Sequence, residues 1–385
     1  ILSASWDEGR GLDMENYTDI GKCNWVSASS TTAWATTGSD YHALTAVNNF
    51  SGSVTFVKGN EDLELEVTPA VENWLDGTKT NYGFLLKQTE AAITGSSGSL
   101  FTKMFHGRST EFVMQKPVIE ARWDDSRKDQ RGSFILSSSV LSSENNLNTL
   151  YLYNRFRGTL TDIVGLSENR LSVAFYTASS DGAPIGVRAI VTDITGAATT
   201  AVEAGKLIEN GNEITGIYTA SFATTSSFSE LNDVWHSGST EFFTGSFKPT
   251  SYKLLLEDRT EPYMSKITNL SSLYSTDDKP VFRVFVRPKR WQPTIYSVAS
   301  VEIENTVIED AYYKVFRIED NLEVIPFGTG TTNHTRMSYD VSGNYFELDM
   351  EPFESGFNYG IQFAYLLQGD YIEQPEVFKF RVEDP

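Results

Sequence analysis

Hydrophobic and polar residues alternate with a period of two along most of this chain. Beyond residue 126 the alternating runs are separated by Gly, Ser, Asp and Asn, which is typical of half-buried strands joined by turns. We predict strands at Thr149–Tyr153, Leu171–Tyr176, Gly216–Phe222, Val281–Arg287, Tyr312–Ile318, Tyr345–Met350, Tyr359–Tyr365 and Phe378–Val382.

The first 126 residues begin with a stretch rich in Gly, Asn and Ser and then alternate in the same way. Four strands are predicted here, at Val54–Val57, Leu63–Val67, Gly83–Lys87 and Phe112–Met114. Between two of them the pattern changes to that of a short helix over 69–76, with Thr68 as N-cap, Pro69 in the first turn and Gly77 at the end. Its apolar face is predicted to be Val71, Trp74 and Leu75.

These elements predict an all-β protein built from tandem β-sandwich domains, of which the last two are expected to be immunoglobulin-like. A chain of 385 residues exceeds what one hydrophobic core usually organises, and the turn spacing favours three domains, 1–126, 127–262 and 263–385. The last region has enough alternating runs for an immunoglobulin-like sandwich, although the Cys, Trp and Cys of antibody domains are absent.

The composition limits the kinds of binding partner and the cellular compartment that we expect for this chain. The net charge of -20 argues against binding to nucleic acid, because like charges repel. No run of about 18 apolar residues is present, so a membrane span is not expected. The single cysteine, Cys23, allows no intrachain disulfide and fits assembly in a reducing cytosol. The start, Ile1–Trp6, has neither a signal-peptide pattern nor an initiator Met, which is typical of the interior of a longer polypeptide.

The sequence shows no catalytic centre, and we predict a non-enzymatic protein without metal or cofactor. The four histidines stand in distant segments, and neither a nucleophile elbow nor a phosphate-binding loop nor a dinucleotide-binding glycine pattern occurs. Among 51 acidic residues, some pair meets the spacing of glycosidase carboxylates by chance alone. A polysaccharide-degrading enzyme with dispersed acids therefore stays open as a minor alternative.

Tryptophans are the candidate ligand contacts, because a flat aromatic face matches the apolar face of a sugar ring. Trp25, Trp34 and Trp291 lie in turn-rich segments where we expect exposure, and they are the candidate carbohydrate contacts. Trp74 and Trp123 are expected to pack in the core.

The beginning of the chain carries features that recur in order in a known family: Trp6–Gly9 with Gly11, Asn24–Trp25, Leu65–Thr68, then Val71, Trp74, Gly77 and Asn81–Phe84. Residues 1–126 thereby resemble the C-terminal half of a DNRLRE-type domain, a jelly-roll-like β-sandwich often attached to carbohydrate-active or cell-surface proteins. The opening strands of that family are missing, so either they precede Ile1 or the sandwich is completed differently. Some members bind carbohydrate, but no sugar-binding residue maps onto this sequence.

The whole chain, including Asp233–Ser239, Thr244–Phe247 and Phe378–Val382, is also similar to virion structural proteins of marine tailed bacteriophages, especially cyanophage-like myoviruses. The resemblance implies a virion component assembled in the host cytoplasm, at the neck, tail, baseplate or capsid surface. Its partners would be other virion proteins and further copies of itself. The alternative is an adhesion protein that binds host or algal surface polysaccharide.

Overall fold

The computed structural model describes residues 1–9, 21–42, 50–88, 103–166, 171–179, 183–209, 211–226, 228–248, 263–289 and 305–385. The chain divides into two compact units, Ile1–Ile119 and Glu120–Pro385. The prediction of an all-β fold with sandwiches is confirmed: across the described ranges, helical structure is limited to one short α-helix and two single-turn 3-10 helices. None of these helices is long and apolar enough to cross a membrane.

The four strands predicted in the first unit are wrong. The segments Val54–Val57, Leu63–Val67 and Gly83–Lys87 are not assigned to strands, and Val113–Gln115 is a 3-10 helix. Side chains do alternate between half-buried and exposed along Leu63–Val67. A strand, however, also needs a hydrogen-bonded neighbour, and the described part of this unit supplies only isolated bridges.

The helix of the first unit is confirmed as α1, Thr68–Leu75, with Pro69 in its first turn. Its N-cap residue is Val67 rather than Thr68, and no side chain caps it. The hydroxyl of Thr68 instead donates to the carboxylate of Glu66, two residues earlier. The predicted cap is therefore wrong because a local side-chain partner competes for the hydroxyl.

The buried face of α1 also differs from the prediction. Ala70 and Asn73 are its buried residues, whereas Val71 and Trp74 are half-buried and Leu75 is 83% exposed. Burial of the Asn73 amide is accommodated because its nitrogen donates to a backbone carbonyl one turn earlier, at 2.7 Å.

The second unit contains the strands. Its first part contributes β1 Asn148–Tyr153, β2 Arg155–Phe156, β3 Thr159–Leu160, β4 Leu171–Ala178, β5 Pro184–Ile185, β6 Val191–Thr192, β7 Ala198–Thr199, β8 Val202–Glu209, β9 Asn212–Phe222, β10 Leu231–Ser237 and β11 Thr240–Phe247. A 3-10 helix, Glu144–Asn146, precedes β1.

Seven of these strands form one sheet, in the order β1-β9-β8-β4-β10-β11 with β5 beside β4. The strand β8 pairs with β4 through Val202–Ala204 and with β9 from Gly205 onward. This change of partner folds the sheet, so that its two halves share one hydrophobic core. Across that core the ring centroids of Phe175 in β4 and Phe222 in β9 lie 4.1 Å apart. We call this part the N-sandwich.

The rest of the unit contributes β12 Tyr263–Ile267, β13 Leu273–Ser275, β14 Val281–Pro288, β15 Ala311–Arg317, β16 Glu323–Ile325, β17 Ser338–Asp340, β18 Gly343–Glu347, β19 Asn358–Leu367 and β20 Asp370–Glu383. They form a sheet β12-β14-β18-β17 and a sheet β13-β20-β19-β15-β16. The strand β13 runs parallel to β20, so the chain changes sheets between β12 and β13. This arrangement is that of an immunoglobulin-like sandwich, as predicted for 263–385. We call it the C-sandwich.

Aromatic side chains join the two sheets of the C-sandwich. Phe346 in β18 stacks on Tyr313 in β15, with ring centroids 4.2 Å apart. Tyr359, at the start of β19, is fully buried, and its hydroxyl donates to the carbonyl of Glu354 at 2.8 Å. This is the tyrosine corner found in immunoglobulin-like sandwiches, and it fixes the turn that leads into β19.

All eight strands predicted beyond residue 126 are confirmed, although their ends shift. The strand β9 begins at Asn212 instead of Gly216, and β18 ends at Glu347 instead of Met350. The domain boundaries after residues 126 and 262 remain predictions.

Candidate interaction surfaces

A segment at residues 124–134 joins the two sandwiches of the second unit. On one side it pairs with β17: the amide of Asp129 donates to the carbonyl of Tyr339 at 3.0 Å, and the amide of Tyr339 donates to the carbonyl of Arg127 at 3.0 Å. On the other side the amide of Gln130 donates to the carbonyl of Thr149 in β1, also at 3.0 Å. We call it the bridging segment, because its backbone is bonded to both sandwiches.

Charged side chains add to this junction. The ammonium of Lys128 lies 2.8 Å from the carboxylate of Asp310, which also pairs with Arg336. The guanidinium of Arg127 reaches Glu209 of β8 at 3.2 Å. Because the bridging segment is tied by side chains as well as by backbone, the two sandwiches are held at several points.

A buried charge cluster lies where the bridging segment enters the N-sandwich. The guanidinium of Arg131 is bonded to the carboxylates of both Asp129 and Asp233, and it donates to the carbonyl of Tyr151 at 3.0 Å. The indole of Trp235 donates to the same Asp233 oxygen at 2.7 Å. All three charged side chains are buried. One cation thus faces two carboxylates in the protein interior.

Burial shifts the pKa of several carboxyl groups at the junction. It raises the pKa of Asp129 to about 6, against the opposing attraction of Arg131. It also raises the pKa of Asp125 and of Glu309 above the ordinary values of these residues. The common cause is desolvation, which disfavours the charged form of an acid.

An open cleft of about 380 Å³ lies beside the bridging segment. Its charged lining residues are Asp124, Lys128, Glu144 and Arg336. Both cations are already engaged by Asp310. Within the described ranges, no group of three or more His, Cys, Asp or Glu side chains is placed to hold a metal ion. The cleft therefore offers polar contacts, without a free cation or a metal-binding cluster among the described residues.

The candidate carbohydrate contacts do not share one surface. Trp25 is 60% exposed, and its indole rests on Gly38, where an added Cβ would lie 2.9 Å from the ring. Trp34 is buried, with its indole nitrogen donating to the carbonyl of Asn24 at 2.9 Å, so the expectation that it is exposed is wrong. Trp291 lies outside the described residues. Only Trp25 offers an accessible ring for stacking among the described members of this set.

The expectation that Trp74 and Trp123 pack in the core is wrong for Trp123 and is met only in part by Trp74. Trp123 is 57% exposed. Trp74 is half-buried, and its ring centroid lies 5.0 Å from that of Phe84. The alternating pattern before Trp123 predicted a buried strand end, but residues 117–127 form no strand.

The hairpin β10–β11 ends the sheet of the N-sandwich. Its two-residue turn starts at Gly238, whose φ of 59° suits the first central position of a type II′ turn. On one side β11 pairs with β10; on its other side no strand of the described ranges is bonded to it. The exposed side chains of this edge include Thr244 and Ser246.

Comparison with known proteins identifies no relative by sequence: no family model and no curated protein matches this chain. A set of solved structures does align with it. Three of these are the Yersinia pseudotuberculosis adhesin InvE (14% identity, 62% of this chain, 60% of that chain, TM-score 0.18), a chimeric titin Z1Z2 tandem (10%, 62%, 91%, 0.19) and a marsupial T cell receptor (8%, 66%, 71%, 0.20). The chain spans less than two thirds of the adhesin. At these TM-scores the alignments carry no functional argument, and the all-β fold itself is compatible with a non-enzymatic structural or adhesive role.

Proposed function

We propose that this chain is a non-enzymatic structural protein of a phage virion that acts through protein–protein assembly. The observation that carries the proposal is the bridging segment, which couples two sandwiches through backbone bonds to both β17 and β1. A coupled pair of sandwiches is suited to transmitting load or holding a fixed spacing between partners. The cations of the described cleft and charge cluster, by contrast, are paired internally.

The proposal is tested on purified particles. Virions from a lysate of infected host cells are banded on a density gradient, and their proteins are quantified by mass spectrometry. We expect this chain in the particle band at a constant ratio to the major capsid protein. An abundant non-structural phage protein serves as the contamination control. Absence of the chain from the band, or a ratio that falls with each gradient as the control does, would contradict the proposal.

A second function is supported by one specific feature, the exposed indole of Trp25 held on Gly38. An aromatic ring in this position can stack on a sugar, so we propose surface polysaccharide as its ligand. The test is a glycan array probed with the full chain. Binding should be lost in Trp25→Ala and kept in Trp123→Ala, which removes a ring of similar exposure elsewhere. Equal binding by both variants, or no binding by the parent chain, would exclude Trp25 as a sugar contact.

A further inference from the structure

Between Phe243 and Phe247, beyond the irregularity at the start of the strand, the outer edge of β11 carries neither Pro nor a charged side chain, two of the devices that usually prevent edge strands from pairing. Edge strands are commonly protected by Pro, Lys or closely spaced charges. The strand β11, Thr240–Phe247, contains one charged residue, Glu241, and neither Pro nor Lys. By comparison β20, whose residues before Arg381 extend past the end of β13, carries Pro375 and Lys379. Among the described residues, the outer edge of Phe243–Phe247 is therefore open to a further strand.

The pairing of β11 with β10 fixes which face each side chain occupies, since directly opposite residues lie on the same face of a sheet. Phe243, Gly245 and Phe247 lie opposite Trp235, Asp233 and Leu231. Trp235 and Leu231 belong to the hydrophobic core, so these three residues of β11 point to the core face. Thr244 and Ser246, which alternate with them, point to the outer face.

A β-bulge at the start of β11 changes which face of the sheet the side chain before Phe242 occupies. Trp235 is opposite Phe243, but the next residue, His236, is opposite Glu241, so that Phe242 is the extra residue. The bulge brings Glu241 onto the outer face with Thr244 and Ser246. Lys248, directly after the strand, falls on the same outer face by alternation. Glu241 and Lys248 are both exposed, and the described residues include no ion-pair partner for either.

We propose that β11 pairs antiparallel with β11 of a second copy of this chain, about a twofold axis at Gly245. In this register Phe243 faces the second copy's Phe247 on the core side, and Thr244 faces the second copy's Ser246 on the outer side. The bulge skips Phe242, so Glu241 takes the next place along the strand from Phe243. In that place its carboxylate meets the second copy's Lys248. By symmetry each of these contacts occurs twice.

The charges select this register and this partner. Aromatic, hydroxyl and opposite-charge pairs are the cross-strand contacts that stabilise antiparallel sheets. A shift by two residues in either direction removes both ion pairs, and a shift by one residue places core-side and outer-side residues opposite each other. A second copy supplies the complementary charge at each end without any other protein. This dimer does not depend on the virion proposal.

The test uses charge reversal and sedimentation velocity of the full chain. Glu241→Lys and Lys248→Glu each place like charges together at both ends of the interface, so each should weaken the dimer at least about tenfold. An equal mixture of the two variants should restore it, since position 241 of each chain then faces a position 248 of opposite charge in the other. The double variant should restore it as well. Lys289→Glu is the control, because it reverses an exposed charge of the C-sandwich.

Recovery of the dimer in the mixture shows that both single variants are folded. The loss of dimer in each variant alone is then due to the interface and not to unfolding. The proposal is overturned if the parent chain sediments as a monomer at about 100 μM, a concentration that would populate any dimer with a Kd in the micromolar range. It is also overturned if the dimer is unchanged in both single variants, or if mixing them fails to restore it.

Discussion

At the scale of single residues, we expect the hydroxyl of Tyr359 to contribute to the stability of the C-sandwich. Tyr359→Phe removes the bond to the carbonyl of Glu354 and leaves that carbonyl without its donor. We expect the free energy of unfolding to fall by about 1–2 kcal/mol, measured by urea denaturation. The control is Tyr371→Phe, because the Tyr371 hydroxyl makes a longer bond, 3.2 Å, from a half-exposed side chain. Equal losses in the two variants would contradict a special role for Tyr359.

Asp129 gives the second residue-scale prediction, a dependence of stability on pH. Its pKa is about 6 in the folded protein against an ordinary 3.8. The folded state therefore holds the proton more tightly, and the stability that this proton contributes is present at low pH and is lost as pH rises through 6. The difference of about two pKa units corresponds to at most about 3 kcal/mol.

The measurement is urea denaturation between pH 4.5 and 7.5 for the parent chain and for Asp129→Asn, which keeps the shape and removes the titrating group. We expect the stability of the parent to fall relative to the variant as pH rises. Other acids at the junction, such as Asp125 and Glu309, titrate in both proteins and cancel in the difference. Parallel curves would show that Asp129 keeps its ordinary pKa.

At the scale of elements, the close approach of the bridging segment to β17 depends on Gly132. A Cβ added there would lie 2.6 Å from the carbonyl oxygen of Asp340, the last residue of β17. Gly132→Ala should therefore push the two backbones apart and cost about 1–3 kcal/mol of unfolding free energy. Gly330→Ala is the matched control, since a Cβ there meets nothing within 4 Å. Comparable melting of the two variants would contradict the close approach.

The elements also show how far the sequence predicts the fold. Period-2 alternation revealed β14 and β19, because each has one face in the core and one nearer solvent along part of its length. It missed β10, where all six residues Leu231–His236 are buried, so that neither face is marked by exposed polar residues. It overpredicted Leu63–Val67, because alternation reports the environment of side chains and says nothing about whether a neighbouring backbone is present.

The candidate surfaces were harder to predict from the sequence, because they depend on contacts between residues that are distant along the chain. The bridging segment has no period, and Arg131 reaches Asp233 across about a hundred residues of chain. Trp25 and Trp34 lie in equally turn-rich sequence, yet the indole of Trp34 is buried because its nitrogen finds the carbonyl of Asn24. Such contacts depend on tertiary closure, which local composition does not encode.

At the scale of the whole molecule, the bridging segment makes the two sandwiches of Glu120–Pro385 one mechanical unit. Its bonds to β1 and to β17 must break before either sandwich opens fully on its own. We therefore expect the slowest-exchanging amides of β9 and of β19 to share one opening free energy in native-state hydrogen exchange of the full chain.

Gly132→Ala is the variant that decides between coupled and independent sandwiches. In a coupled pair, the substitution lowers the protection of β9 and of β19 together, because it disturbs the segment on which both depend. In independent sandwiches it lowers the protection of only the one that carries the strain. Two distinct opening free energies in the parent chain would contradict the coupling, and with it the observation on which the structural role was proposed. Coincident values would mean that the two sandwiches open as one cooperative unit.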